Sequence, residues 1–192
     1  MRKIIAALQV SLDGFIEGPN GELDWIDTWE DPFDLLPQID TCILGGGMYP
    51  GYEQYWSAVM AHPHGVLPLT GKPPSPGEVA YAQFAARAQH VVLSGRLERV
   101  TWHNARIIRD IEAIRSLKQQ PGKDMHAVGG ASLVSSLINH GLVDELRVAI
   151  RPIVLGGGKA LFGGVTSRHA LELREVTPPQ SGRVRLTYGV PA

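Results

Sequence analysis

Cysteine is nearly absent from this chain. The single Cys42 among 192 residues excludes an internal disulfide and any metal cluster built on cysteine, which fits a reducing compartment with the cytoplasm as the default. Surplus charge of either sign is missing too. Lys and Arg number 18 against 19 Asp and Glu, a net charge of -1, so no excess of cations exists to neutralise a run of phosphates, and nucleic acid is not an expected partner. Charged residues make up only 19% of the chain, too few for a coiled coil or a disordered tail. Long apolar runs are lacking: Ile4 to Val10 is cut at Gln9 and no stretch reaches the ~20 apolar residues of a membrane helix. Met1-Arg2-Lys3 before that run resembles a signal peptide only in its first residues, because Gln9 and Asp13 end the apolar core too soon. Neither an internal repeat nor a low-complexity tract is present.

What the chain does have is apolar content of 44%, 22 glycines and 14 prolines. The length and composition suit one globular domain over residues 1–192. Ile4 to Val10 reads as a central strand covered on both faces. Ser11-Leu12-Asp13-Gly14-Phe15-Ile16 leaves it, and Gly18-Pro19-Asn20-Gly21 is a turn. Residues 22 to 38 are acidic and aromatic, with a short helix as one reading. Thr41 to Leu44, then Gly45-Gly46-Gly47, then Tyr49 to Met60 read as strand, glycine turn and helix. His62 to Pro74 is a proline-rich loop. Ser75-Pro76-Gly77-Glu78 has capping-box spacing and predicts a helix to about Ala88. His90 to Ser94 and Arg99 to Trp102 read as strands, Asp110 to Gln119 as a helix, Met125 to Val128 as a strand and Ala131 to His140 as a helix capped by Gly141. Glu145 to Leu155, Leu171 to Val176 and Val184 to Tyr188 are strands without helices between them. An early half that alternates and a late half rich in strands predict an α/β domain, its parallel sheet ending in antiparallel edge strands.

The chemistry-bearing features lie at strand ends. Gly129-Gly130 sits between a buried strand and a helix, where the first N–H groups of the helix face an anion such as a pyrophosphate; a bare tight turn is the alternative. Gly45 to Gly47 occupies the same context, and two such turns in one sheet converge on the crevice where ligands of α/β sheets bind. Neither carries the Gly-x-Gly-x-x-Gly spacing. Ser94-Gly95-Arg96 offers a hydroxyl and a guanidinium suited to an adenosine 2'-phosphate, or else a solvated turn. Gly156-Gly157-Gly158-Lys159 lacks phosphate-loop spacing and reads as a hairpin or bulge. His62 and His64 have no third ligand near them, so no metal site is expected, and no Gly-x-Ser-x-Gly elbow supports a hydrolase. Asp13, at the end of the first strand, and Asp24, Asp27, Asp31 and Asp34 beyond it are candidates to hold a polar substrate or supply a proton.

The order of motifs is recognisable: Ile5-Ala6-Ala7-Leu8, Ser11-Leu12-Asp13-Gly14-Phe15-Ile16, Leu44-Gly45, Ser94, Val128-Gly129-Gly130-Ala131, then Gly141-Leu142-Val143-Asp144-Glu145-Leu146 leading to Pro152-Ile153-Val154-Leu155-Gly156-Gly157-Gly158. From Lys3 to Tyr188 the chain resembles the dihydrofolate reductase-like superfamily, within it the reductase domain of bacterial riboflavin biosynthesis and its stand-alone relatives. The resemblance implies a mainly parallel eight-stranded sheet with an antiparallel C-terminal hairpin, helices on both faces, and NADPH across the strand ends. It implies a reductase similar to 5-amino-6-(5-phosphoribosylamino)uracil reductase and dihydrofolate reductase, acting on a small heterocyclic or imine-bearing substrate, and a homodimer. Ala7 and Ile16 would border the nicotinamide; Gly45, Gly46, Met48 and Tyr49 would lie near the phosphates. Ser94 and Arg96 would lie near the adenosine, and Gly129, Gly130, Ala131, Ser132, Leu133 and Val134 under the pyrophosphate. Asp13 and Asp27 are the expected catalytic or substrate-orienting acids, with Trp25 and Tyr49 as pocket walls. The chain departs from the family at Gly46 and Met48, where Arg and Thr often stand, and at Val128, where an acid is typical. A binding protein that keeps the fold without hydride transfer is the alternative.

Overall fold

The computed structural model describes residues 1–26, 29–31, 33–180 and 182–191, with the backbone alone for 178–180. Ten strands and four helices follow one another as β1 (Ile4–Ser11), β2 (Phe15–Glu17), β3 (Ile39–Gly45), α1 (Tyr49–Ala61), α2 (Pro76–Ala85), β4 (Gln89–Leu93), β5 (Ala105–Ile108), α3 (Glu112–Lys118), β6 (Asp124–Gly129), α4 (Ala131–Asn139), β7 (Glu145–Arg151), β8 (Lys159–Ala160), β9 (Glu172–Gln180) and β10 (Arg183–Gly189). Eight strands form one sheet in the order β5-β4-β3-β6-β1-β7-β10-β9. Its first six strands are parallel. β10 runs antiparallel to β7 and to β9, so the expected mainly parallel sheet with a C-terminal hairpin is the observed one.

β1 lies between β6 and β7, which explains its apolar character on both faces. Ile4, Ala6, Leu8 and Val10 point to α3 and α4, where Ile114, Leu117, Leu133, Val134, Leu137 and Ile138 complete a core. Ile5 and Ala7 point the other way, onto Phe33 and Leu35. On that second face of the sheet, Cys42, Leu44 and Val92 carry α1 and α2 through Tyr52, Trp56, Val59 and Tyr81. Burial pushes the Cys42 thiol up to about 12, so it stays protonated and acts as a small apolar side chain.

Several elements differ from the sequence-based expectation, among them β9, which runs to Gln180 rather than to Val176, and α3, which is shorter at both ends than 110–119. The edge strand lies at Ala105–Ile108 rather than 99–102, because Trp102 docks on α1 instead: its Nε1 donates to Ser57 Oγ at 2.9 Å and its backbone N–H to Glu53 at 2.9 Å. Among the described residues of 22 to 38 there is no helix; the Asp31 carboxylate accepts the N–H groups of Phe33 and Leu36 at 3.0 Å, and that of Leu35, and closes a turn. β7 ends at Arg151, before Pro152. α2 ends at Ala85, three residues short of Ala88; its capping box is present as expected, with Ser75 Oγ accepting from Glu78 N at 3.1 Å. A second, two-stranded sheet pairs β2 with β8. It requires glycine at 158, where φ is +126° and a Cβ would overlap the Glu17 carbonyl oxygen. The 156–158 glycines therefore bring two backbones into close approach.

Candidate functional site

The carboxyl ends of β1, β3 and β6 open into a cavity of about 780 Å³, at the position where ligands bind in open α/β sheets. Its floor is built from glycine turns packed against each other. A Cβ on Gly45 would lie 3.6 Å from Leu133 Cβ and 3.7 Å from the Gly129 carbonyl oxygen. Gly129, at φ +134°, is held between Leu8 and Met48, to which a Cβ would stand at 3.3 and 3.4 Å. The Gly129–Gly130 peptide is cis. Gly130 faces Ile16 and opens α4 as its N-cap, with no side-chain cap. Val134 is the first residue of that helix to bond back, to the Gly130 carbonyl at 3.2 Å, which leaves the N–H groups of its first turn directed along the cavity end of the helix axis.

Gly46 has a specific partner: a Cβ there would overlap the Ser94 side chain. Any larger side chain at this position therefore has no room beside Ser94, whose Oγ accepts from the N–H groups of Arg96 and Leu97 at 3.2 and 2.9 Å.

The opposite wall is aromatic. Trp29, Tyr52, Tyr55, Trp56 and Tyr81 all line the cavity. Trp56 and Tyr81 have ring centroids 4.4 Å apart, and Tyr55 and Trp56 meet edge to face at 4.9 Å. The buried Glu78 carboxylate ties this wall together, accepting Tyr55 Oη at 2.9 Å and the Trp29 N–H at 3.1 Å. Burial holds the Tyr52 and Tyr81 hydroxyls well above the usual tyrosine range, so neither serves as a base near neutral pH. His126, also on the lining, is kept neutral by burial.

Of the residues expected at the site, Ala7, Ile16, Gly45, Gly46, Met48, Gly129, Gly130, Ala131, Ser132 and Leu133 line this one cavity. Others stand elsewhere. Tyr49 is buried in the core with its hydroxyl on Glu53, and Val134 is fully buried in the core beneath α4, off the lining. Trp25 donates to the Glu22 carbonyl at 3.1 Å and is replaced on the cavity wall by Trp29. Ser94 and the exposed Arg96 lie behind the first glycine turn, outside the lining. Asp13 does not reach the cavity: its carboxylate accepts from Ser11 Oγ at 2.7 Å, Gly156 N at 2.8 Å and Leu155 N at 3.2 Å, so it latches the glycine segment to β1. These bonds, Ser11 foremost, hold its carboxyl below the usual range. Asp27 lies outside the described residues. Asp31, one of the candidate acids, does line the cavity, whereas sequence reasoning missed Trp29, Glu30, Tyr81 and His126 there. Tyr52, Tyr55 and Trp56 had been visible only as a helical apolar stripe.

This sheet order with its glycine-turn crevice defines a dihydrofolate reductase-like fold. A dihydrofolate reductase from Enterococcus faecalis complexed with NADP(H) shares it at a TM-score of 0.62 and 15% identity, over 98% of this chain and 96% of that one. The chain belongs to the RibD C-terminal domain family, whose model matches residues 2–184. It is 37% identical over 191 residues to the uncharacterized protein YyaP of Bacillus subtilis (strain 168), covering 97% of this chain and 94% of that protein. A solved protein from Shewanella sp. PV-4 assigned to riboflavin biosynthesis aligns at a TM-score of 0.71 and 18% identity over 99% of each chain.

Proposed function

We propose that the protein is an NADPH-dependent reductase that delivers a hydride to a small heterocyclic or imine-bearing substrate. The observation that carries this reading is the convergence of both glycine turns and the uncapped start of α4 on one cavity that Ala7 and Ile16 also line. The NADP(H) complex of the E. faecalis enzyme, which shares the fold, supports the choice of cofactor.

The residues present suit such a group. Gly45 to Gly47 and the turn from Gly129 to Leu133 would hold the phosphates, because backbone N–H groups and the helix dipole favour anions there. Ala7 and Ile16 would flank the nicotinamide, and Ser94 and Arg96 would meet the adenosine end. NADPH, when bound, supplies the hydride; the chain orients both reactants and excludes water. Glu30 and Asp31 line the cavity and Asp13 does not, so the carboxylates of Glu30 and Asp31 are better placed than that of Asp13 to orient a polar substrate.

The test is thermal unfolding with NADPH, NADH, FMN or no ligand at millimolar concentration, since a ligand that binds only the folded state raises its melting temperature. A shift with NADPH alone supports the reading, and no shift with either nicotinamide removes it. A second reading, a nucleotide-binding protein without hydride transfer, is favoured by one observation: Lys159 is the only Lys or Arg among the described lining residues. Binding of NADPH with no substrate-dependent loss of its absorbance would select it.

A further inference from the structure

The charge of the cavity is lopsided. Among its described lining residues Glu17, Glu30 and Asp31 are acidic, and Lys159 is the one cation. That cation is already engaged: its Nζ lies 2.7 and 2.8 Å from the two carboxylate oxygens of Glu17. Neutral His126 adds no positive charge. Glu30 accepts from Ser75 Oγ at 3.0 Å, and Asp31 accepts the backbone N–H groups described above, so both acids are held beside the aromatic wall.

A phosphate placed against this wall would meet these acids at close range, where like charges are costly. A flat ring meets the opposite conditions. Half-buried Trp29 suits stacking, backed by the buried rings of Tyr52, Tyr55, Trp56 and Tyr81, and an electron-rich wall attracts a cation. The acids accept from ring N–H or amino groups. The glycine turns, the part suited to anions among the described lining residues, belong to the cofactor on the reading above.

We propose that the substrate of this cavity is a flat aromatic heterocycle, neutral or positively charged, that carries no phosphate. This rests on the reductase reading for which part of the cavity is left to the substrate, and it separates the protein from a reductase of phosphoribosyl compounds. Phosphate removal, or a synthesis that never adds one, must then precede the reaction.

Riboflavin and FMN test it, because they share a ring and side chain and differ by one phosphate. Their binding to the purified protein is read by flavin fluorescence quenching, with and without saturating NADP+. Riboflavin should bind roughly tenfold or more tightly than FMN when NADP+ covers the glycine turns. Glu30→Gln, which removes a charge at constant size, should narrow that ratio. Equal affinities, tighter FMN, an unchanged ratio in Glu30→Gln, or binding of neither flavin overturns the proposal. NADPH-induced stabilisation is measured separately: its presence without a riboflavin preference sinks this proposal alone, and its absence with such a preference sinks only the reductase reading.

Discussion

His126 Nε2 lies 3.2 Å from the Ala7 carbonyl oxygen, just past Ala6 and Ala127, the last pair of the β1–β6 ladder. A carbonyl only accepts, so the neutral ring carries its proton on Nε2, and the buried Nδ1 has no partner among the described residues. Replacing His126 with Leu removes one hydrogen bond and one unpaired nitrogen together. The two effects oppose each other, and urea unfolding at pH 7 should place His126→Leu within about 1 kcal/mol of the parent. A loss above about 3 kcal/mol would show that Nδ1 is bonded after all.

Acid should weaken the fold through His90. Burial lowers its value from 6.5 to about 4, so below pH 6.5 the unfolded chain takes up a proton that the folded chain refuses. Stability is therefore full above pH 6.5 and falls toward pH 4, by about 3 kcal/mol for this group. His126 acts in the same direction. In His90→Leu, urea midpoints between pH 7 and 4.5 should decline less steeply than in the parent; an equal slope would assign the acid sensitivity elsewhere.

Asp13 acts on the fold. Asp13→Ala should lower the melting temperature, because Leu155 and Gly156 lose their acceptor, and leave the NADPH-induced shift intact. The depressed carboxyl sets the sign: the contribution of Asp13 is present above the ordinary value of 3.8 and vanishes as pH falls through its lower folded value. A variant with the parent's melting temperature and no turnover would restore Asp13 to a catalytic role.

Ser132 separates cofactor binding from folding. It is exposed in the first turn of α4 and lines the cavity, so aspartate there suits the helix dipole but repels a pyrophosphate. Ser132→Asp should unfold no lower than the parent without ligand and lose most of its NADPH-induced shift. An unchanged shift would move the phosphates away from this helix.

Two glycines of one segment should respond differently. Gly158→Ala forces a Cβ into the Glu17 carbonyl and should cost about 3 kcal/mol or more. Gly156, at φ +73° with open space around it, should lose only about 1 kcal/mol on the same change. Equal urea midpoints for the two variants would refute the close approach of β8 to β2.

Strand and helix spacing made most of this fold legible, because β1, β3, β6 and α4 are buried and their apolar patterns report it directly. The edge strand at 105–108 was misplaced for the opposite reason: half-exposed Ala105 to Ile108 has no such pattern, while Arg99 to Trp102 has one that serves a contact with α1. β2 and β8, of three and two residues, are too short to carry a period. At the site, the glycine turns were readable because backbone geometry demands them. The aromatic wall was not, since Trp29 and Tyr81 reach it from segments that only tertiary structure joins. Tyr49 shows the limit of positional reasoning at a helix start, where one step from Met48 turns a side chain from the cavity into the core.

The sheet order also sets a schedule for the growing chain. β1 is made first, yet its two neighbours begin at Asp124 and Glu145. β3, β4 and β5 can pair among themselves as they are synthesised, whereas Ile4 to Val10 waits more than a hundred residues for a partner. Within the eight-stranded sheet its most apolar strand is therefore the one that spends the longest time unpaired, and closure of the sheet around it is a long-range, slow event.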